Sequence, residues 1–144
     1  MAEACYVSAM IRLGPFQLED HIGQGGMGAI WQARHVNQDL PAAVKVLHSE
    51  RASEPGFERA FIREVRAVSQ LHHPNIVEVY DHGLVSPEAS EASGGRIKEG
   101  TPYLAMELVP GGNLAEHRGR MPWPMLRGCL LDLLSALALS LIHI

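Results

Sequence analysis

The hydrophobic and polar positions in the first third of the chain predict three short strands separated by turns. Apolar and β-forming residues are dense from Phe16 to Ile22, in residues 29–36 and in residues 41–47. Residues 29–36 show neither a helix cap nor a helical period, and residues 37–39 have the composition of a turn. The third strand carries a single charge, Lys45, in an otherwise apolar run.

The remaining pattern predicts a helix, two more strands and a terminal helical region. Residues 57–71 have a helical period and end before Pro74, which forces the chain out of a helix. Strands are predicted at residues 76–80 and 102–109, with a polar surface loop at 86–100 between them. The apolar run at 129–144 is shorter than the ~20 residues that a membrane span needs, which favours a buried core helix.

Four glycines, Gly23, Gly25, Gly26 and Gly28, fall within six positions between the first two strands. This loop is not a P-loop, because no lysine follows Gly28. A dinucleotide-binding loop would have to open a helix, and a strand is predicted here instead. The pattern therefore favours a glycine-rich hairpin that covers nucleotide phosphates, although a plain glycine-rich turn would have the same spacing.

A carboxylate on the apolar stripe of the predicted helix provides a second signal. Glu64 lies among the apolar positions of that helix, where a charge is unfavourable unless it is paired. Lys45 is a cation in an equally apolar strand. We therefore predict that Lys45 and Glu64 form an ion pair, rather than each reaching solvent separately.

Composition excludes several other classes of function. The net charge is −4, so no basic excess attracts nucleic acid or an anionic membrane. The two cysteines, Cys5 and Cys129, are far apart and the histidines have no cysteine partners, so we expect neither disulfides nor a metal site. The N-terminus lacks the pattern of a signal peptide, and we expect a cytoplasmic protein whose membrane anchor, if it has one, is not in this chain.

Taken together, these motifs resemble the N-terminal lobe of the protein kinase family, and the loop wording G-Q-G-G-M-G resembles bacterial serine/threonine kinases. The glycine loop with Ile30 matches G-x-G-x-x-G-x-V, and residues 43–45 match the A-x-K of the third strand. Glu64 matches the glutamate of the family's C-helix, and residues 73–77 match H-P-N-I-V. Residues 106–109 and 111–114 are similar to the hinge and the start of the next helix.

The resemblance implies an α+β fold: a five-stranded antiparallel sheet with one C-helix, followed by the first helices of an incomplete C-lobe. The expected divisions are an N-terminal extension at 1–13, the N-lobe and hinge at 14–109, and the start of the C-lobe at 110–144. It also implies binding of ATP and Mg²⁺ and transfer of the γ-phosphate to serine or threonine hydroxyls of a protein substrate that the sequence does not name.

The resemblance also implies a role for each site residue. Lys45 would contact the α- and β-phosphates, and Glu64 would hold Lys45 in place. These are the two residues expected to serve catalysis. Met106 would be the gatekeeper at the back of the adenine pocket. Backbone groups of the loop would lie over the phosphates, three apolar side chains would enclose the adenine, and two hinge residues would offer backbone groups to its edge. The loop residues are Gly23, Gln24, Gly25, Gly26, Met27 and Gly28. The residues that enclose the adenine are Ile22, Ile30 and Ala43, and the hinge residues are Glu107 and Val109.

Two alternatives remain open at this stage: a non-catalytic nucleotide-binding pseudokinase or regulatory module, and a dinucleotide-binding oxidoreductase domain. The H-R-D and D-F-G motifs, which carry the catalytic aspartate and the Mg²⁺ ligands, do not occur in this sequence, so we expect the chain itself to be inactive. Residues 139–144 resemble a translated transposon end used to prepare sequencing libraries, and we expect them to be artefactual. We also expect the leucine-rich terminal helix to expose an apolar face and make the chain poorly soluble.

Overall fold

The computed structural model describes residues 10–26, 28–48, 50 and 53–143. Their central feature is a six-stranded antiparallel sheet with the strand order β1-β2-β3-β4-β6-β5. The strands are β1 Arg12–Leu13, β2 Phe16–Gly25, β3 Gly28–His35, β4 Leu40–Leu47, β5 Val79–Leu84 and β6 Pro102–Glu107. The helices are α1 Phe57–Ser69, α2 Pro87–Ala92 and α3 Trp123–His143, with a short 3₁₀ helix at Leu114–His117.

The sheet has one more strand than the five predicted, and the prediction missed β1. Arg12 pairs with Gln17 and Leu13 pairs with Phe16, so β1 exists only through its pairing with β2. Two residues are too few to show an alternating pattern, which is why periodicity did not predict this strand.

The predicted strand at 76–80 is displaced along the chain, because β5 begins at Val79 and ends at Leu84. Residues 73–76 form a turn instead, in which the Ile76 amide donates to the His73 carbonyl at 3.0 Å. The strand position is set by pairing with β6, where Gly83 lies opposite Tyr103. Such pairing is a long-range contact that local alternation does not report.

The predicted surface loop at 86–100 contains α2 and packs onto the sheet. The Ser86 hydroxyl accepts a hydrogen bond from the Ala89 amide at 3.2 Å and caps the helix. The buried Ser93 hydroxyl accepts from the Ile97 amide at 3.0 Å and closes the following turn. Because Val85, Ala89 and Ile97 belong to the hydrophobic core, this segment covers one face of the sheet.

Strand register separates the two faces of the sheet. Val44 lies opposite Trp31 on one side and Ala105 on the other, and these residues belong to the face that the segment 85–97 covers. We call this the outer face. Lys45 lies opposite Ile30 and Leu104 on the other face, which we call the cleft face.

The helix α1 ends at Ser69, two residues before the predicted end, and packs loosely. Val65 is its one buried residue, while Val68, predicted to lie on the apolar stripe, is 44% exposed. The ring of Phe61 contacts His82 of β5 edge-on, with centroids 6.4 Å apart. The helix therefore contacts the sheet at β5.

The helix α3 is not the buried core helix that its apolar sequence favoured. Among its described residues only Ala136 is buried. Its residues 123–142 are long and apolar enough to cross a membrane by length and composition alone. The predicted exposed leucine face is present and includes Leu130, Leu131, Leu133, Leu134, Leu137 and Leu141.

Candidate nucleotide-binding site

The glycine loop is the tip of a β-hairpin between β2 and β3. Gly25 pairs with Gly28 across the tip, and Gly26 lies in the turn. Met27 lies outside the described residues. Since a strand follows the loop, the arrangement does not meet the requirement of a dinucleotide-binding loop, which opens a helix.

The glycines of this loop serve two different purposes. A Cβ atom at Gly23, Gly25 or Gly26 would meet no atom within 4 Å, so the space beside these backbones is open. A Cβ atom at Gly28 would overlap the carbonyl oxygen of Val46 in β4. Gly28 is therefore required for strand packing, whereas the open space at the other three glycines lets a ligand approach their backbone closely.

The side chain of His48, just after β4, forms a hydrogen bond with the glycine loop. Its Nε2 donates to the Gly25 carbonyl oxygen at 3.1 Å. Sequence analysis did not identify this residue, because the two partners are 23 positions apart and no local pattern connects them. The hydrogen bond ties the tip of the hairpin to the end of the neighbouring strand.

The cleft face brings together four of the predicted site residues. Ile30 lies opposite Lys45, and Ala43 lies opposite Met106, so all four share this face of the sheet. Ala43 is buried and the other three are half-buried. Ile22, predicted to contact adenine, is 49% exposed beside the loop. Gln24 lies opposite Ala29, a register that places its side chain on the outer face and leaves its backbone for the loop.

The hinge residues lie at the end of β6. The Glu107 amide already donates to the Glu78 carbonyl at 2.8 Å, and its carboxylate accepts from the Glu78 amide at 3.3 Å. Burial raises the pKa of the nearby Tyr80 hydroxyl, and the charges of Glu107 and then Glu78 raise it further. Val109 is 56% exposed, and its backbone groups have no hydrogen-bond partner in the described part of the chain.

The predicted ion pair between Lys45 and Glu64 is not formed. Glu64 is exposed, Lys45 is half-buried, and the salt bridges among the described residues join Arg34 to Glu19 and to Asp39. A cavity of about 480 Å³ lies between α1 and the end of β4, lined by Leu47, Phe61 and Glu64. The physical reason is the placement of α1, which contacts β5 and stays away from the strand that carries Lys45.

The described residues offer no preformed metal site. No group of three or more His, Cys, Asp and Glu side chains within the ranges above is placed to hold a metal ion. The cleft face thus combines the half-buried Lys45 with apolar residues next to a hairpin whose backbone a ligand can approach closely.

Comparison with known proteins agrees with this geometry. The protein kinase domain family matches residues 16–140. The serine/threonine-protein kinase PksC of Streptomyces coelicolor is 34% identical over 142 residues, covering 94% of this chain and 24% of PksC. PknA of Mycobacterium tuberculosis is 41% identical over 98 residues, covering 68% of this chain and 21% of PknA. The chain thus spans about a quarter or less of these relatives.

Solved structures show the same fold. The chain resembles the kinase domain of Mycobacterium tuberculosis PknI with a TM-score of 0.71 and 22% identity, covering 93% of this chain and 51% of that one. The family match extends from β2 into α3, so the glycine hairpin, β4, α1 and the hinge all lie within it. The chain is a member of the protein kinase family and has the N-lobe fold predicted from its motifs.

Proposed function

We propose that this chain is the ATP-binding lobe of a serine/threonine protein kinase, which transfers the ATP γ-phosphate to protein serine and threonine hydroxyls. The observation that carries the proposal is the cleft face, where Lys45 lies opposite Ile30 and on the same face as Ala43, next to a hairpin with open space at its glycines. This combination fits a nucleotide triphosphate, because the amides and the cation face phosphates while the apolar residues enclose a base.

Each site residue has a role in this proposal. The backbone amides of Gly23, Gln24, Gly25 and Gly26, with those of Met27 and Gly28, hold the phosphates. Lys45 neutralises the phosphate charge, and Glu64 positions Lys45 once α1 approaches β4. Ile22, Ile30 and Ala43 enclose the adenine, Met106 closes the back of the pocket, and backbone groups of Glu107 and Val109 meet the adenine edge.

ATP supplies the phosphoryl group, and Mg²⁺ would accompany its phosphates. The family's Mg²⁺ ligands and catalytic base belong to motifs that do not occur in this sequence. Binding without phosphotransfer is therefore the activity proposed for this chain by itself. The proposed location is the cytoplasm, where ATP is available and Cys129 would remain a free thiol.

Calorimetric titration with ATP and Mg²⁺ tests the proposal. Lys45→Gln removes the phosphate contact and is expected to weaken binding by about 10- to 100-fold, corresponding to the loss of one charge-assisted interaction of about 1.5–3 kcal/mol. Lys98→Gln is the matched control, because Lys98 lies outside the cleft and its loss should leave ATP affinity unchanged. Equal ATP binding by the Lys45→Gln and parent chains would contradict the proposed site.

The proposed movement of α1 has its own test. If ATP draws α1 toward β4, Glu64→Gln should weaken ATP binding, whereas Glu58→Gln in the exposed first turn of the same helix should not. Equal effects of the two substitutions would show that Glu64 does not position Lys45.

A further inference from the structure

A second cavity lies on the outer face of the sheet, on the side opposite the cleft face. It has a volume of about 370 Å³ and is bounded by Trp31 and Val46 from the sheet and by Ile97 and Thr101 from the segment that follows α2. Arg96 and Lys98 complete its lining on that segment. We call it the outer cavity, and its size is within the range of small-molecule sites.

Two polar atoms of the residues that line this cavity have no hydrogen-bond partner. Trp31 Nε1 and Thr101 Oγ1 are both buried and unpaired within the described part of the chain, and Thr101 is only 3% exposed. A buried polar group without a partner costs about 1–3 kcal/mol, and most such groups in folded proteins are satisfied. Both atoms are covered by the wall of the cavity, so they mark where a ligand that displaces the wall side chains would gain hydrogen bonds.

The charge around the outer cavity has one sign. Arg96 and Lys98 line it, and none of its described lining residues is an aspartate or glutamate. The Arg96 Nε donates to the Ser93 carbonyl at 2.9 Å, which anchors the guanidinium at one edge. Its remaining N–H groups have no partner among the described residues. The cavity is therefore electropositive and suited to an anion.

The walls are apolar and rigid where they meet the sheet. Trp31 is held edge-on against His21, with ring centroids 5.1 Å apart, and Ile97 is buried above it. A ligand that fills this space must have an apolar body as well as an acidic group, because inorganic anions would leave the aromatic and aliphatic walls uncovered.

We propose that the outer cavity binds a small organic anion. Its apolar ring or branched chain contacts Trp31 and Ile97, and its carboxylate or phosphate contacts Arg96 and Lys98. His48 also lines the cavity and donates to the Gly25 carbonyl, so the site adjoins the glycine loop without using the side chains of the cleft face.

Tryptophan fluorescence provides the direct test. Trp123 is exposed and outside the cavity, so Trp123→Phe leaves Trp31 as the sole tryptophan of the chain. This full-length chain, at sub-micromolar concentration, is titrated with phenylacetate, phenyl phosphate and the neutral phenylacetamide. We expect saturable changes in Trp31 emission with at least one anion, and binding of the amide that is at least about 10-fold weaker.

Charge removal identifies the cavity. The double variant Arg96→Gln, Lys98→Gln should bind the anion no more tightly than the amide, while Arg118→Gln, Arg120→Gln elsewhere on the surface should match the parent. The relative affinities of phenylacetate and phenyl phosphate show which acidic group is preferred. The proposal is overturned by the absence of saturable binding up to about 10 mM, by equal binding of the amide, or by indifference to Arg96 and Lys98.

Thr101→Val separates ligand binding from folding. It removes an unpaired buried hydroxyl with little change in shape, so the urea midpoint of the ligand-free chain should stay the same or rise. Anion affinity should fall, and Thr101→Ser should retain it. A Thr101→Val chain that binds phenylacetate as tightly as the parent would place the ligand outside this cavity. Lys45→Gln should leave phenylacetate affinity unchanged, so failure here is distinguishable from failure of the ATP proposal.

Discussion

Tyr103 shows how one residue restricts the positions around it. Its side chain is 4% exposed, and its hydroxyl end lies where a Cβ atom at Gly83 would come within 2.8 Å of it. A Cβ atom at Gly14 would come within 2.6 Å of the same oxygen. The two glycines are therefore needed to accommodate the tyrosine, a requirement that neither glycine reveals in the sequence.

The first prediction concerns Gly83. Gly83→Ala forces a methyl group against the buried Tyr103 ring and should destabilise the fold by about 1–3 kcal/mol, the usual cost of overpacking. Gly128→Ala is the control, because a Cβ atom there meets nothing within 4 Å and alanine favours the helix. Urea unfolding midpoints measure both variants. A Gly83→Ala chain as stable as the parent would contradict the packing argument.

The second prediction concerns pH. Burial raises the pKa of Tyr103, and the nearby Asp81 charge raises it further. The folded state therefore keeps its proton at a pH where the unfolded chain, with a tyrosine pKa of about 10, has lost it. Stability should fall as pH rises above about 10, because the unfolded state binds fewer protons there.

Tyr103→Phe isolates this effect, since it keeps the ring and removes the titrating hydroxyl. The difference in urea midpoint between parent and variant should be constant at neutral pH and should shift in favour of the variant as pH rises through 10. Parallel pH profiles of the two chains would show that Tyr103 does not contribute to the loss of stability in base.

At the scale of elements, the two long helices differ in how they are attached. The backbone amide of Asn75 donates to His73 Nδ1 at 3.0 Å, so the proton of the His73 ring is on Nε2. His73 Nε2 then donates to the Ser135 hydroxyl of α3 at 2.9 Å. The helix α3 is thus tied to the turn that follows α1. By contrast, α1 has no salt bridge to the sheet among the described residues and contacts it through the Phe61 ring at His82.

The third prediction concerns the attachment of α3. Ser135→Ala removes the hydrogen bond to His73, whose net contribution is about 1 kcal/mol, and should increase hydrogen exchange in α3 by about fivefold. Ser140→Ala in the same helix is the control, because its hydroxyl makes no hydrogen bond in the described structure. Equal exchange in the two variants would show that the link does not hold the helix.

At the scale of the whole molecule, the apolar surface of α3 dominates. Its leucines lie largely in solvent, whereas the sheet has a continuous core between the outer face and the segment 85–97. Contiguous apolar surface of this kind promotes association. The net charge of −4 is too small to keep such surfaces apart at moderate salt.

The fourth prediction is that the chain self-associates through α3. Light scattering at micromolar concentration should show oligomers for the parent, and Leu134→Lys, Leu137→Lys should reduce them because the charges interrupt the apolar face. Leu114→Lys is the control, because Leu114 is 66% exposed but lies outside α3. A monodisperse monomer for the parent chain would contradict this prediction.

Local motifs were sufficient to identify the family and to predict that Ile30, Ala43, Lys45 and Met106 lie close together. The glycine loop that begins at Gly23, the A-x-K motif of Lys45 and the H-P-N-I-V run are each short and contiguous. Each can therefore be recognised without knowledge of the fold. Comparison with known kinases confirms the family. The site roles remain proposals, because they depend on a bound nucleotide.

Features that depend on long-range packing became visible only in the folded chain. The tertiary structure added β1, moved β5 to Val79–Leu84 and folded α2 over the sheet, creating the outer cavity beside Trp31. It also left the exposed Glu64 apart from the half-buried Lys45. The physical reason is that strand pairing and helix docking are contacts between distant segments, whereas periodicity and spacing report only local preferences.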